Sequence, residues 1–171
     1  MRVHLGSDHA GLDLKAHLLT WLTDHGYEPV DHGPHRYDAI DDYPVFCLRA
    51  AEGVAADRAE GLDSLGVVIG GSGNGEQMAA NKVLGIRCAL VWSDETAALA
   101  REHNDAQVVS VGGRMHPLED MTRFVGVFLS TPFSGDERHV RRIDQISAYE
   151  STHELPPLPE SARNPGPGRD A

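Results

Sequence analysis

The densest chemistry in the chain lies in Gly70-Gly71-Ser72-Gly73-Asn74-Gly75-Glu76. Glycines carry no Cβ, so several backbone N–H groups can turn toward one point, and a helix starting there adds its positive N-terminal end. Such a nest receives an anion, or the charge that develops on an oxygen during reaction. Glu76 sets a carboxylate beside it, which either caps the helix or moves a proton. A tight strand-to-helix turn with an acidic first turn accounts for the same residues, and the loop alone does not decide between the two.

Four further groups carry titratable or ligating side chains, each with a plainer alternative. Asp8-His9 follows the first apolar stretch, where Asp is also a favoured N-cap. His103-Asn104 closes a helical stretch, where a cation and an αL-tolerant Asn suit a C-terminus. Arg114 follows Gly112-Gly113, and solvation alone explains it. Arg138 and Arg142, in Arg138-His139-Val140-Arg141-Arg142, stand four apart on one helical face, and guanidinium forks match phosphate oxygens. Ion pairs with Asp or Glu are the alternative there. The glycine loop is not a P-loop, because no Gly-Lys-Ser/Thr follows, nor a clean GxGxxG. It follows the third strand rather than the first, so a nicotinamide reading that uses Asp94 ranks below the anion nest.

At 171 residues, with 40% hydrophobic and 24% charged residues, the composition is that of one globular domain plus a tail. The formal charge of -11 argues against sequence-independent nucleic-acid binding, while leaving room for a small anion at a local basic cluster. No apolar run reaches membrane-spanning length, and Met1-Arg2-Val3-His4-Leu5-Gly6 enters a strand directly, so the expected location is the cytoplasm. Cys47 and Cys88 sit singly in apolar segments without metal-ligand spacing. Buried thiols are expected, with neither a disulfide nor a metal.

The elements that must position these residues alternate. Strands are expected at 2–5, 28–31, 65–69, 86–92 and 107–111. Helices are expected from Ala10-Gly11 to Gly26, from a start at Asp41-Asp42-Tyr43-Pro44 into 45–56, from the glycine loop to about Val83, at 93–103, from Pro117 and from about Asp136. Leu14, Leu18 and Leu22 make one apolar stripe; Met121, Phe124, Val125 and Phe128 make another. After Thr152 come half of the ten prolines, with Gly166 and Gly168 and no apolar period, so 154–171 is read as a disordered tail. Five strand–helix repeats imply a three-layer α/β fold, a parallel five-stranded sheet with helices on both faces. Two strand orders are open, and the flavodoxin-like order 2-1-3-4-5 puts its switch point between the first and third strands. Asp8-His9 and the glycine loop would then face one crevice.

With these loops in place, Ser7-Asp8-His9-Ala10-Gly11, the 70–76 loop, Ala80-Asn81-Lys82, Arg101-Glu102-His103-Asn104 and Gly112-Gly113-Arg114 together resemble the ribose-5-phosphate isomerase B family. The likeness runs over about residues 1–153. It implies an aldose–ketose isomerase that interconverts ribose 5-phosphate and ribulose 5-phosphate through an enediolate, a step of the pentose phosphate pathway, without a metal or other cofactor. By resemblance, Glu76 is the base that carries a proton between C2 and C1, and His103 is the acid that opens the sugar ring. Gly71, Ser72, Gly73, Asn74 and Gly75 stabilise the enediolate, Asp8 and His9 bind or polarise the sugar, and Asn104 holds a hydroxyl. Arg114, Arg138 and Arg142 match ligand-binding arginines, the last two for phosphate. Many members place the base on a cysteine at the position of Gly70 and an apolar residue at that of Glu76; this chain resembles the actinobacterial branch that uses glutamate. The family is at least dimeric, a dimer or tetramer with each pocket built from two chains. A six-carbon sugar-phosphate isomerase and a non-catalytic sugar-phosphate-binding module are the competing functions.

Overall fold

The computed structural model describes residues 1–162. Five strands, β1 (Arg2–Ser7), β2 (Glu28–Asp31), β3 (Ser64–Gly70), β4 (Cys88–Leu90) and β5 (Val108–Gly112), form one sheet. Between and after them run α1 (Leu12–Asp24), α2 (Tyr43–Ala59), α3 (Asn74–Ala80), α4 (Asp94–Glu102), α5 (Leu118–Ser130) and α6 (Glu137–Thr152). A 3-10 turn, His9–Gly11, joins β1 to α1. Residues 154–159 have no regular structure, and a second 3-10 turn covers Glu160–Ala162. The part of the expected tail at 163–171 lies outside the described residues.

All four strand pairings are parallel, and the order is β2-β1-β3-β5-β4. The outer two strands are therefore exchanged relative to the flavodoxin-like order. Burial gives the reason. β5 is buried along its whole length, whereas β4 has three residues and is only part-buried beyond Cys88. The fully buried strand takes the interior and the short one becomes the edge. The switch point between β1 and β3 is unchanged, but β5 rather than β4 now brings its terminal loop beside the glycine loop.

Side chains alternate across the strands, so each strand feeds both faces. Val3, Leu5, Val67, Ile69, Val109 and Val111 meet the Leu14, Leu18 and Leu22 stripe of α1 and Phe124, Val125 and Phe128 of α5. Val68 and Val108 meet Cys47, Ala50, Ala51 and Val54 of α2 and Ala79 and Ala80 of α3. The second face uses small residues because α2 lies close over the sheet: a Cβ on Gly6 would stand 2.5 Å from the Phe46 carbonyl oxygen. Helix α3 stops short of the expected Val83. The Asn81 side chain there bonds the Cys88 carbonyl (2.9 Å) and N–H (2.8 Å), pinning the helix end to β4. No described helix is long and apolar enough to cross a membrane.

Gly73 caps α3 at a φ of +82°, and a Cβ there would stand 2.6 Å from Leu90 Cδ1. Gly85 has a φ of +78° with nothing within 4 Å of the same probe position. Gly85→Ala should therefore cost only left-handed backbone strain, about 1–2 kcal/mol, and Gly73→Ala more than that. Urea unfolding measures both, and equal losses would remove the clash from the account.

Candidate active site

At the carboxyl edge of the sheet three loops pack backbone against backbone. The Asp8 N–H donates to the Ile69 carbonyl (3.1 Å), that of Gly113 to the Gly70 carbonyl (2.7 Å) and that of Arg114 to the Gly71 carbonyl (3.2 Å). Side chains would hold the loops apart: a Cβ on Gly11 would stand 2.8 Å from the Ile69 carbonyl oxygen, and one on Gly113 2.9 Å from that of Ala10. This packing sets Asp8, His9, residues 71–75, Glu76 and Arg114 at one edge.

Glu76 lies in the first turn of α3 and folds back under the loop, so that its carboxylate fills the space a side chain at Gly70 would take. It is 4% exposed. Burial pushes its carboxyl above the ordinary range and the charge of Asp8 adds to the push, while the N–H groups of Glu76 and Gly73, donating to it, pull back without cancelling. Above the loop, Ser72 Oγ accepts from the Asn74 N–H (3.3 Å) and Nδ2 (3.2 Å), which leaves its own proton free to donate outward. The Arg114 guanidinium reaches over Gly71, with Nη1 3.8 Å from where a Cβ would stand.

Asp8 does act as a cap: Oδ1 accepts from the Ala10 (2.9 Å) and Gly11 (3.2 Å) N–H groups. His9 is held by a residue the sequence reading passes over as a helix start. Asp41 Oδ1 accepts from the His9 N–H (3.0 Å) and pairs with His9 Nδ1 (2.7 Å), fixing the proton on Nδ1 and leaving Nε2 as the outward atom. Asp8, His9 and Asp41 bring ligand atoms within 4.8 Å of one another, but His9 Nδ1 is already committed to Asp41. The cluster is a His–Asp pair beside a cap. Tyr43 is a second residue missed: its ring and hydroxyl lie where a Cβ on Gly75 would stand. Its place at the start of α2, next to Pro44, carries no sequence signal for the glycine loop. Cys47, buried beneath, has its thiol pushed up by burial and by the charges of Glu76 and Asp8, which keeps it from acting as a nucleophile.

The remaining candidates lie at the other end of the sheet. His103 ends α4, and the Asn104 carbonyl accepts from Arg87 Nε (2.8 Å), just before β4 begins. Arg138 and His139 start α6 there too, with His139 Nδ1 3.0 Å from the His103 carbonyl and the two rings 4.1 Å apart. Arg142 lies one turn further along α6, beside Tyr149, Leu155 and Pro156. Strands of five to seven residues separate the two edges by about 17–23 Å. One chain therefore holds two separate groups of candidate residues: a carboxylate under a glycine nest at the carboxyl edge, and imidazole, amide and guanidinium groups at the amino edge. The first suits proton abstraction next to a developing oxyanion, the second suits acid catalysis and phosphate binding.

A family model described as Ribose/Galactose Isomerase matches residues 3–146. Ribose-5-phosphate isomerase B of Mycobacterium tuberculosis is 57% identical over 159 residues, covering 93% of this chain and 96% of that protein. The Escherichia coli protein of the same name is 34% identical over 149 residues, covering 87% and 96%. Among solved structures, ribose-5-phosphate isomerase B of Mycoplasma genitalium with bound ribulose-5-phosphate superposes with a TM-score of 0.82 at 40% identity, covering 88% of this chain and 97% of that one. The Trypanosoma cruzi type B enzyme also gives 0.82, at 42% identity, covering 90% and 100%. With the family model spanning most of the chain and relatives aligned nearly end to end, the chain belongs to the ribose/galactose isomerase family.

Proposed function

We propose that this protein interconverts ribose 5-phosphate and ribulose 5-phosphate in the cytoplasm, at a site shared by two copies of the chain. The observation that carries the chemistry is the buried Glu76 carboxylate beneath the glycine loop. On the open-chain aldose, Glu76 takes the C2 proton, the C2–H electron pair becomes the C1=C2 double bond, and the C1 carbonyl oxygen becomes the enediolate oxygen. The proton returns to C1 while the C2 hydroxyl proton passes to the C1 oxygen, which leaves a ketone at C2 and a hydroxymethyl group at C1, so no external oxidant or reductant is needed. Ser72 Oγ–H, Arg114 and the N–H groups at the start of α3, such as that of Gly75, stabilise the enediolate. Asp8 and His9 orient the sugar hydroxyls.

The second copy supplies the rest. Glu76 and His103 cannot meet within one chain, because the sheet stands between them, whereas a two-fold axis can set the carboxyl edge of one copy against the amino edge of the other. His103 then protonates the ring oxygen as the furanose opens, Asn104 holds a hydroxyl, and Arg138 and Arg142 take the phosphate. Two free, buried cysteines fit a reducing compartment.

Turnover, stability and complementation test this reading. Turnover of ribose 5-phosphate by the purified protein should exceed that of allose 6-phosphate, and the reverse preference would assign a six-carbon substrate. Glu76→Gln should lower kcat by at least about 100-fold while ribose 5-phosphate still binds, and normal turnover would remove Glu76 as the base. Because the folded state holds the Glu76 proton more tightly than the unfolded chain does, stability from this group is greatest below the unfolded carboxyl range and declines as pH rises through the raised folded value. The same variant should therefore melt above the wild type at pH 8, with the gap closing toward pH 4, while wild-type turnover falls as pH drops through that raised value. Finally, co-refolding inactive Glu76→Gln with inactive His103→Ala should restore roughly a quarter of the wild-type sites, since each mixed dimer keeps one intact pair of edges. A single-chain site would give no recovery.

A further inference from the structure

His139 is 3% exposed, so it touches no substrate, yet it contacts two of the groups assigned to the amino-edge half-site. Arg138 Nε donates to His139 Nε2 at 2.8 Å. A guanidinium nitrogen can only donate, so Nε2 must be the accepting nitrogen and the ring proton must sit on Nδ1. That Nδ1–H then donates to the His103 carbonyl at 3.0 Å, and the ring lies 4.1 Å from the His103 ring at an interplanar angle of 43°. Asp136 Oδ2 stands 3.8 Å from Arg138 Nε and 4.0 Å from His139 Nε2, too far to compete for either bond. The His139 N–H donates to the Asp136 carbonyl (2.8 Å) and the Ser134 N–H to the Glu102 carbonyl (3.0 Å), so the backbone on both sides is tied down.

We infer that His139 is a positioning residue that couples the ring-opening acid to the phosphate clamp, holding His103 through Nδ1 and Arg138 through Nε2. The inference rests on the roles proposed above for those two residues. The rest of α6 is mostly exposed, so a free Arg138 side chain would sample many rotamers; the bond from Nε restricts them without using either terminal nitrogen. An imidazole is suited to the task because its two nitrogens do different work. An Asn amide nitrogen reaches the place of Nδ1 only, and a Gln amide oxygen reaches the place of Nε2 only.

The two halves of the role are separable by that difference. His139→Asn keeps the His103 tie and frees Arg138, so KM for ribose 5-phosphate and the dissociation constant for inorganic phosphate should rise roughly tenfold with kcat little changed. His139→Gln keeps the Arg138 tie and frees His103, so kcat should fall roughly tenfold with phosphate affinity retained. His139→Leu, which fills the space but makes neither bond, should show both losses, and thermal midpoints report any loss of folding. Wild-type values in the Asn and Gln variants, or equal losses in kcat and phosphate affinity that track the midpoint, would overturn the inference. Phosphate affinity is read by calorimetry whether or not ribose 5-phosphate turns over. Weaker binding in the Asn than in the Gln variant, on a wild type that converts no ribose 5-phosphate, would support the Arg138 tie while defeating the proposed function.

Discussion

A carboxylate stays buried beside a second carboxylate only where backbone donors face it and no side chain contests its space. Glu76 has both conditions met by glycines: the absence of a side chain at Gly70 makes the room, and the left-handed turn at Gly73 aims an N–H at the carboxylate. The same turn needs the Ser110 hydroxyl, which donates to the Gly73 carbonyl at 2.7 Å, so β5 must lie next to β3. The strand order, the glycine positions and the raised carboxyl are thus one arrangement. Under the proposed function, a base made this way is already desolvated before substrate arrives, and the folded chain carries the electrostatic cost of that readiness.

The length of the sheet imposes the second constraint. In a parallel sheet every strand ends at the same edge, so residues that follow strands and residues that follow helices are held a full strand length apart. Asp8, Ser72, Glu76 and Arg114 follow strands, whereas His103, Asn104, Arg138 and Arg142 follow or lie on helices that return to the opposite edge. Chemistry that needs both sets cannot be local to one chain. Under the proposed function, assembly becomes a condition of activity rather than a source of stability alone.

Much of this was legible in the sequence, and what was not has physical reasons. Period-four leucines and valine-rich runs located α1, β3 and β5 because their burial is one-sided or complete. The exchange of β4 and β5 was not legible, since order depends on which strand is the more deeply buried, and residues 86–92 look as apolar as 107–111 until Asn81 pins the chain at Cys88. Residue type and spacing marked the loop residues at the carboxyl edge as candidates, each with a plainer alternative. Asp41 and Tyr43 could not, because they reach His9 and Gly75 across more than thirty residues of chain. His139 stood inside a conspicuous arginine run, where its neighbours' charge hid the one member that is buried.

Both edges of the sheet fix a histidine tautomer in the same way. An imidazole is useful only if the proton is on a known nitrogen, and each edge fixes it with a partner that has no choice. Asp41, an acceptor, holds the Nδ1 proton of His9 and leaves Nε2 as the outward atom. Arg138, a donor, claims Nε2 of His139 and so directs the Nδ1 proton to the His103 carbonyl. In the first case one nitrogen is left free; in the second both nitrogens are spent on neighbours, and the ring becomes a fixed strut. Under the proposed function, which histidine meets substrate is therefore decided less by its position in the sequence than by how many of its nitrogens the fold has already occupied.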